Sequence, residues 1–386
     1  MLSENSIGRP EAFLGAVRRV GPFTSYETKP VPKYRITLAA FCAMTLSLWP
    51  LFAQGMTVVG SGYATPTGAG SFASDIRLAP GQIVTLFVSN TTIVSSSQQA
   101  TTVPLPAALA GFSVTIRQLG ASGGTFPAAL LSVQPFSLCE SFNIGPGCQL
   151  TMLTVQVPFE MVIGGDTPRV TDLIVNDNGT ASVGFRVAAD EDHIHVLTTC
   201  ETQGRLSDGD NSLFQPCSGV VTHADGSLVS STSPAKAGEV VVIYAVGLGP
   251  TSPAVKTGTS TPTPAPALAY ETLFIQFDFR PNAVPSHPYF NPPTGVPVVP
   301  PVVPGPLFAG LTPGQVGLYQ VNVRIPDALP QIPPCTDRTI PGPLSAFVQT
   351  NLTIDIGGVN SFDGAAICVQ PPPQSQPAVN LAPANH

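Results

Sequence analysis

The chain of 386 residues reads as all-β: two tandem antiparallel β-sandwiches after an N-terminal signal or transmembrane helix. Three observations predict this. Short runs rich in β-branched and aromatic residues recur between Gly and Pro turns. Gly (36) and Pro (43) together make about a fifth of the chain while charged residues are only 10%, a mixture that disfavours long helices and favours many short strands. One strand pattern also occurs twice. AKAGEVVVIYAVGLGPTSP at 235–253 is echoed by APGQIVTLFVSNTT at 79–92, and VQVP at 155–158 is answered by VRIP at 323–326. Internal duplication is the simplest account. With 43% hydrophobic residues the chain can fill two cores.

Taken in order, Lys29, Lys33 and Arg35 precede the apolar run ITLAAFCAMTLSLWPLF at 36–52, which ends at Ala53-Gln54-Gly55. A basic region, a short apolar core and a small exit residue make a secretory signal. The basic region is long for a signal, and Leu51 is large for its place before the exit. The run is also just long enough to span a bilayer, so an uncleaved anchor is the alternative. Either way the remainder is exported, and the membrane is met only through 1–55. Residues 56–74 are rich in Gly, Ser and Thr and read as a lead-in.

The first sandwich is expected over 75–190. Its strands are 83–88, then an extended edge at 102–110, then 112–119, 128–133, 150–157, 169–176 and 181–188. Asn178-Gly179 makes the tight hairpin turn between the last two. Residues 191–235 read as a polar connector. The second sandwich, 236–370, takes strands 239–245, 272–279, 318–325, 351–356 and 365–370, and the Pro/Gln/Ala-rich tail 371–386 is too poor in large apolar residues to fold. The tract VPVVPPVVPGP at 296–306, within a Pro-rich insertion at 281–306, should be polyproline II, suited to a stiff loop or to partner contact.

Residues 54–386 hold 10 basic and 20 acidic side chains, a net charge of −10 against −7 for the whole chain. Such a surface offers phosphates nothing, which excludes nucleic acid as a partner. Cys42 lies inside the apolar run, leaving an even six: Cys139, Cys148, Cys200, Cys217, Cys335 and Cys368. No C-x-x-C pair is present for a zinc site. Disulfides are expected, and the clustering suggests Cys139 with Cys148, Cys200 with Cys217, and Cys335 with Cys368.

Candidate sites are few. In Asp190-Glu191-Asp192-His193-Ile194-His195, an extended backbone puts His193 and His195 on one face, with Asp190 and Asp192 near enough to complete a metal site. The competing reading is a solvated chain junction. Asp208-Gly209-Asp210-Asn211 opens like a calcium loop, but Gly219 stands where the bidentate Glu belongs, leaving looser calcium coordination or ordinary turn chemistry. Gly120-Ala121-Ser122-Gly123-Gly124 matches the hydrolase motif G-x-S-x-G, yet no helical pattern follows Ser122 to form the nucleophile elbow. No catalytic residue and no cofactor beyond a possible calcium ion is expected.

A resemblance adds to this. DGSLVSSTSPAKAGEVVVIYAVGLGPTSP at 225–253, FAGLTPGQVGLYQVNVRIPDALP at 308–330 and IDIGGVNS at 354–361 resemble a C-terminal domain family of secreted proteins of Solibacter-type acidobacteria, over residues 219–370. Residues 75–190 resemble the sandwich that often precedes it. The resemblance implies immunoglobulin-like sandwiches on an exported protein, with no assigned activity and no catalytic residues to carry over. The insertions at 281–306 and around 330–343 depart from the family pattern. The expected role is structural or adhesive and non-enzymatic, at the cell surface or outside it, toward an extracellular protein or glycan. The alternatives are a carbohydrate- or ligand-binding module, with calcium ordering 190–211, and a hydrolase whose site is assembled from separate loops.

Overall fold

Alternation in the sequence becomes alternation in burial. In FSVTIRQL, Phe112, Val114, Ile116 and Gln118 are buried and the side chains between them are not, the two-residue period of a strand with one face on a core. The computed structural model describes residues 55–62, 76–120, 123–136, 149–163, 170–197, 219–269, 273–277, 279, 304–332, 334–335, 352–357 and 362–373. Every regular element among them is a strand, and the molecule is all-β. The expectations for 1–54, including the signal or anchor, lie outside the described residues, as do those for most of the Pro-rich insertion and for the end of the tail.

The first half runs β1 (Thr57–Gly62), β2 (Arg77–Leu78), β3 (Ile83–Ser89), β4 (Gln98–Gln99), β5 (Ala108–Leu109), β6 (Phe112–Leu119), β7 (Gly124–Pro127), β8 (Ala129–Phe136), β9 (Leu150–Gln156), β10 (Val170–Asp177), β11 (Thr180–Ala181) and β12 (Phe185–Ala189). Two sheets result, β1-β3-β9-β8-β4 and β2-β12-β10-β6-β5, with β7 beside β6 and β11 beside β10. Val84, Leu86 and Val88 of β3 and Leu153 and Val155 of β9 meet Val114 and Ile116 of β6 and Leu173 and Val175 of β10 in one buried cluster. Each such side chain contributes roughly 1.5–3 kcal/mol by leaving water. The turn after β10 has Asn178 at φ 49° and Gly179 at φ 92°, as the Asn-Gly pair predicts.

The second half runs β13 (His195–Val196), β14 (Val221–Thr222), β15 (Val240–Val246), β16 (Thr251–Ser252), β17 (Ala267–Leu268), β18 (Phe274–Phe277), β19 (Phe308–Leu311), β20 (Tyr319–Arg324), β21 (Leu352–Gly357) and β22 (Phe362–Ile367). The sheets are β13-β15-β20-β19-β17-β16, with β14 also on β15, and β18-β21-β22. Between them Val241, Ile243, Tyr319, Val321 and Val323 pack against Ile275, Phe277, Ile354 and Ile356. The described residues from 55 onward fall in one compact unit around these two cores.

Two stretches read as loops carry strands. The lead-in supplies β1, which pairs with β3. The connector supplies β13 and β14, and its Ile194, Val196, Val221, Val229 and Ala235 enter the second core. Apolar residues that occur singly among acids, Ser and Thr give too little periodic signal to be seen without the sheet that covers them. Cys335 is disulfide-bonded to Cys368, with Cα atoms 5.3 Å apart; Cys139, Cys148, Cys200 and Cys217 lie outside the described residues.

The duplicated pattern is duplicated structure. Gly81 N–H donates to the Val157 carbonyl and Val157 N–H to Gln82, while Gly238 N–H donates to Ile325 and Ile325 N–H to Glu239. Gly81 and Gly238 share the left-handed conformation, φ 75° and 74°, open to Gly at little cost. The side chain ending each turn accepts from the backbone N–H three residues earlier: Gln82 from Ala79 at 2.9 Å, Glu239 from Lys236 at 2.8 Å.

Candidate functional site

The two copies of this turn are put to different uses. The first is buried in the seam between the sandwiches. Gln82 and Gln156 are fully buried, Gly258 N–H donates to Gln156 Oε1 at 2.6 Å, and Leu105 N–H donates to the Gly258 carbonyl at 2.8 Å. Thr257 Oγ1 accepts from Phe159 N–H at 2.8 Å and donates to Glu160 Oε2 at 2.5 Å. Tyr319 Oη, fully buried, donates to the Gly249 carbonyl at 2.5 Å. Gly81 lies against Phe159 and Tyr319, and Gly247 against the His193 carbonyl, where a Cβ would collide.

In the second copy the equivalents of Gln82, Gln156 and Phe159 are Glu239, Arg324 and Asp327. Arg324 Nη1 donates to the Gly238 carbonyl at 2.8 Å, and Asp327 lies beside Gly238 as Phe159 lies beside Gly81. Three side chains that fill a seam have become three charges. This copy borders an open pocket of about 790 Å³, lined among others by His223, Asp225, Ser233, Lys236, Glu239 and Gln370.

The change from Gln to Glu creates an ion pair there. His223, just after β14, sets Nδ1 2.5 Å from Glu239 Oε1. Its Nε2 lies 3.0 Å from the Ser233 carbonyl and 3.2 Å from Ser233 Oγ. The hydrogen bond to Glu239 raises the imidazole above its ordinary pKa of 6.5, against the opposing effect of burial. Burial likewise disfavours the Glu239 carboxylate, but bonds from His223 and from the Lys236 N–H hold it below the usual 4.5. Asp225, on the turn between them, is lowered by bonds from the Ser227 hydroxyl and N–H.

Serine, histidine and glutamate within hydrogen-bond reach are the components of a nucleophilic triad. The second nitrogen is shared. A backbone carbonyl only accepts, so the 3.0 Å contact of Nε2 with the Ser233 carbonyl is a hydrogen bond only when Nε2 carries a proton. In that form, with Nδ1–H on Glu239, the ring is an imidazolium with no lone pair to draw a proton from Ser233 Oγ. The trio ties the 230–233 turn to the start of β15.

The residues singled out from sequence have structural partners. Asp190 accepts from Arg77 Nη1 at 3.1 Å. His195 is buried in β13 opposite Val246, and His193 N–H donates to the Gly247 carbonyl at 2.8 Å. Asp192 is half buried beside them. Among the described residues no three His, Cys, Asp or Glu side chains are grouped to hold a metal ion. Asp208, Asp210 and Ser122 lie outside the described residues. Sequence reasoning missed His223, Ser233 and Glu239; the one signal was the Glu that replaces Gln when APGQ is set against AKAGE. No protein-family model and no curated protein matches the chain.

Proposed function

We propose that the protein is an exported, non-enzymatic structural or adhesive module whose tandem immunoglobulin-like sandwiches hold loops at a fixed separation. The observation that carries this reading is the seam. Groups from both sandwiches bond across it, Gly258 N–H to Gln156 Oε1 and Thr257 N–H to Glu160 Oε1, and these bonds support a fixed separation, although Gln156 Nε2 is buried there without a hydrogen-bond partner. The resemblance of 219–370 to secreted sandwiches points the same way.

Immobilised exported protein presented to a glycan array and to extracellular matrix proteins is the test, run beside an ester, peptide and glycoside substrate screen. Saturable retention without turnover supports the proposal. Turnover lost in Ser233→Ala would replace it with a hydrolase. The pocket beside His223 favours a second reading, a small-ligand module. Calcium titration followed by calorimetry addresses its metal-assisted form, since no heat and no change in Tm removes it.

A further inference from the structure

We propose that His223 is a proton-operated latch: protonated, it closes the 230–233 turn onto β15, and on losing its proton it lets that turn open while the neighbouring attachments at Val229 and Ala235 stay shut. The geometry is that of a ring with an acceptor at each nitrogen. Glu239 Oε1 takes Nδ1–H and the Ser233 carbonyl takes Nε2–H. Removing one proton turns the second bond into a lone pair facing a lone pair at 3.0 Å. The contact must then break, or exchange for one in which Ser233 Oγ, 3.2 Å away, donates to Nε2. Two discrete arrangements of one turn result, with the proton choosing between them.

The charged groups around the ring set the direction. Glu239 at the start of β15 and Asp225 on the adjoining turn both favour the imidazolium, and Lys236 acts on Glu239 from the same turn. The folded pKa is raised, so the clamp is fully present below the ordinary value of 6.5 and is lost as pH rises through the folded value. Three attachments bound the opening. Ala235 N–H donates to the Cys368 carbonyl and Gln370 N–H to the Ala235 carbonyl, and Cys368 is itself disulfide-bonded to Cys335. None of these titrates with imidazole, and on the other side Val229 is buried in the second core and its N–H donates to the Val221 carbonyl at 2.9 Å, so the opening is confined to the turn between Val229 and Ala235.

Two measurements on the exported protein test this: an NMR titration of the histidine Cε1–H signals, with His223 assigned by through-bond correlation to its own backbone, and hydrogen exchange read over 230–233 and over 235–239 with 367–370, corrected for the intrinsic pH dependence. The latch requires His223 to titrate above 6.5, protection over 230–233 to fall through that same titration, and protection at Val229, Ala235 and Gln370 to hold. Glu239→Gln lowers the midpoint, and His223→Gln leaves the turn open at every pH. A His223 midpoint at or below 6.5, or protection over 230–233 that is flat through the titration, overturns the proposal. Loss of protection at 235–239 in step with 230–233 overturns the bounded opening. The wild-type titration alone decides the first two outcomes, should either variant fail to fold.

Discussion

A few buried polar side chains carry out-of-proportion weight in this molecule. Tyr319 is enclosed in the second core, and burial pushes its phenol well above the ordinary range, so its hydroxyl serves only as a donor to Gly249. Tyr319→Phe keeps the ring but strands that carbonyl, and the expected loss is about 1–3 kcal/mol by urea denaturation. Asp172 tells a different story. Arg117 at 2.9 Å and Arg186 at 3.0 Å both bond its carboxylate on β10, holding it below the usual 3.8, Arg117 first and then Arg186, against burial. A lowered folded pKa means that this pair stabilises above pH 3.8 and that the contribution disappears as pH falls through the folded value. Asp172→Asn should therefore cost about 1–2 kcal/mol at pH 7 and almost nothing in strong acid. A stability difference independent of pH would show that the two arginines do not act through charge.

Elements decide what of this was legible beforehand. The long strands β3, β6, β9, β10, β15 and β20 were readable because alternating side chains report a covered face, and the Asn178-Gly179 turn because few other pairs adopt its backbone. Strands of two residues, such as β13 and β14, were not, since their pairing is imposed by β15 and not by their own composition. The candidate site failed for a related reason. His223, Ser233 and Glu239 come from three separate segments, and only the sheet brings them together. The Cys335–Cys368 bond joins the loop after β20 to the end of β22, across a sequence separation of 33. Loop-closure entropy puts its stabilisation at about 3–4 kcal/mol. Replacing both cysteines by Ser should lower the urea midpoint correspondingly, and adding reductant to wild type should reproduce the shift. A midpoint unmoved by either change would mean that the β21–β22 hairpin holds without its staple.

At the scale of the whole molecule, two copies of one turn serve two different ends. Here the seam turn carries Gln82, Gln156 and Phe159, while its counterpart carries Glu239, Arg324 and Asp327. The first turn is buried against the second sandwich, and the second carries its charges beside an open pocket. The same comparison says what couples the two cores. Gln156 Oε1 is the acceptor for Gly258 N–H inside the seam, and Thr257 joins Phe159 to Glu160, so neither core can open without exposing groups that the other satisfies. Calorimetry of wild type should then show one cooperative transition. Gln156→Ala with Thr257→Ala removes the acceptors from both ends of the seam while leaving each core whole. The expected result is two transitions, one for each sandwich, with the lower shifted down by the loss of the seam. Two transitions in wild type would show that the sandwiches are merely adjacent, and the fixed separation on which the proposed adhesive role depends would be lost with them.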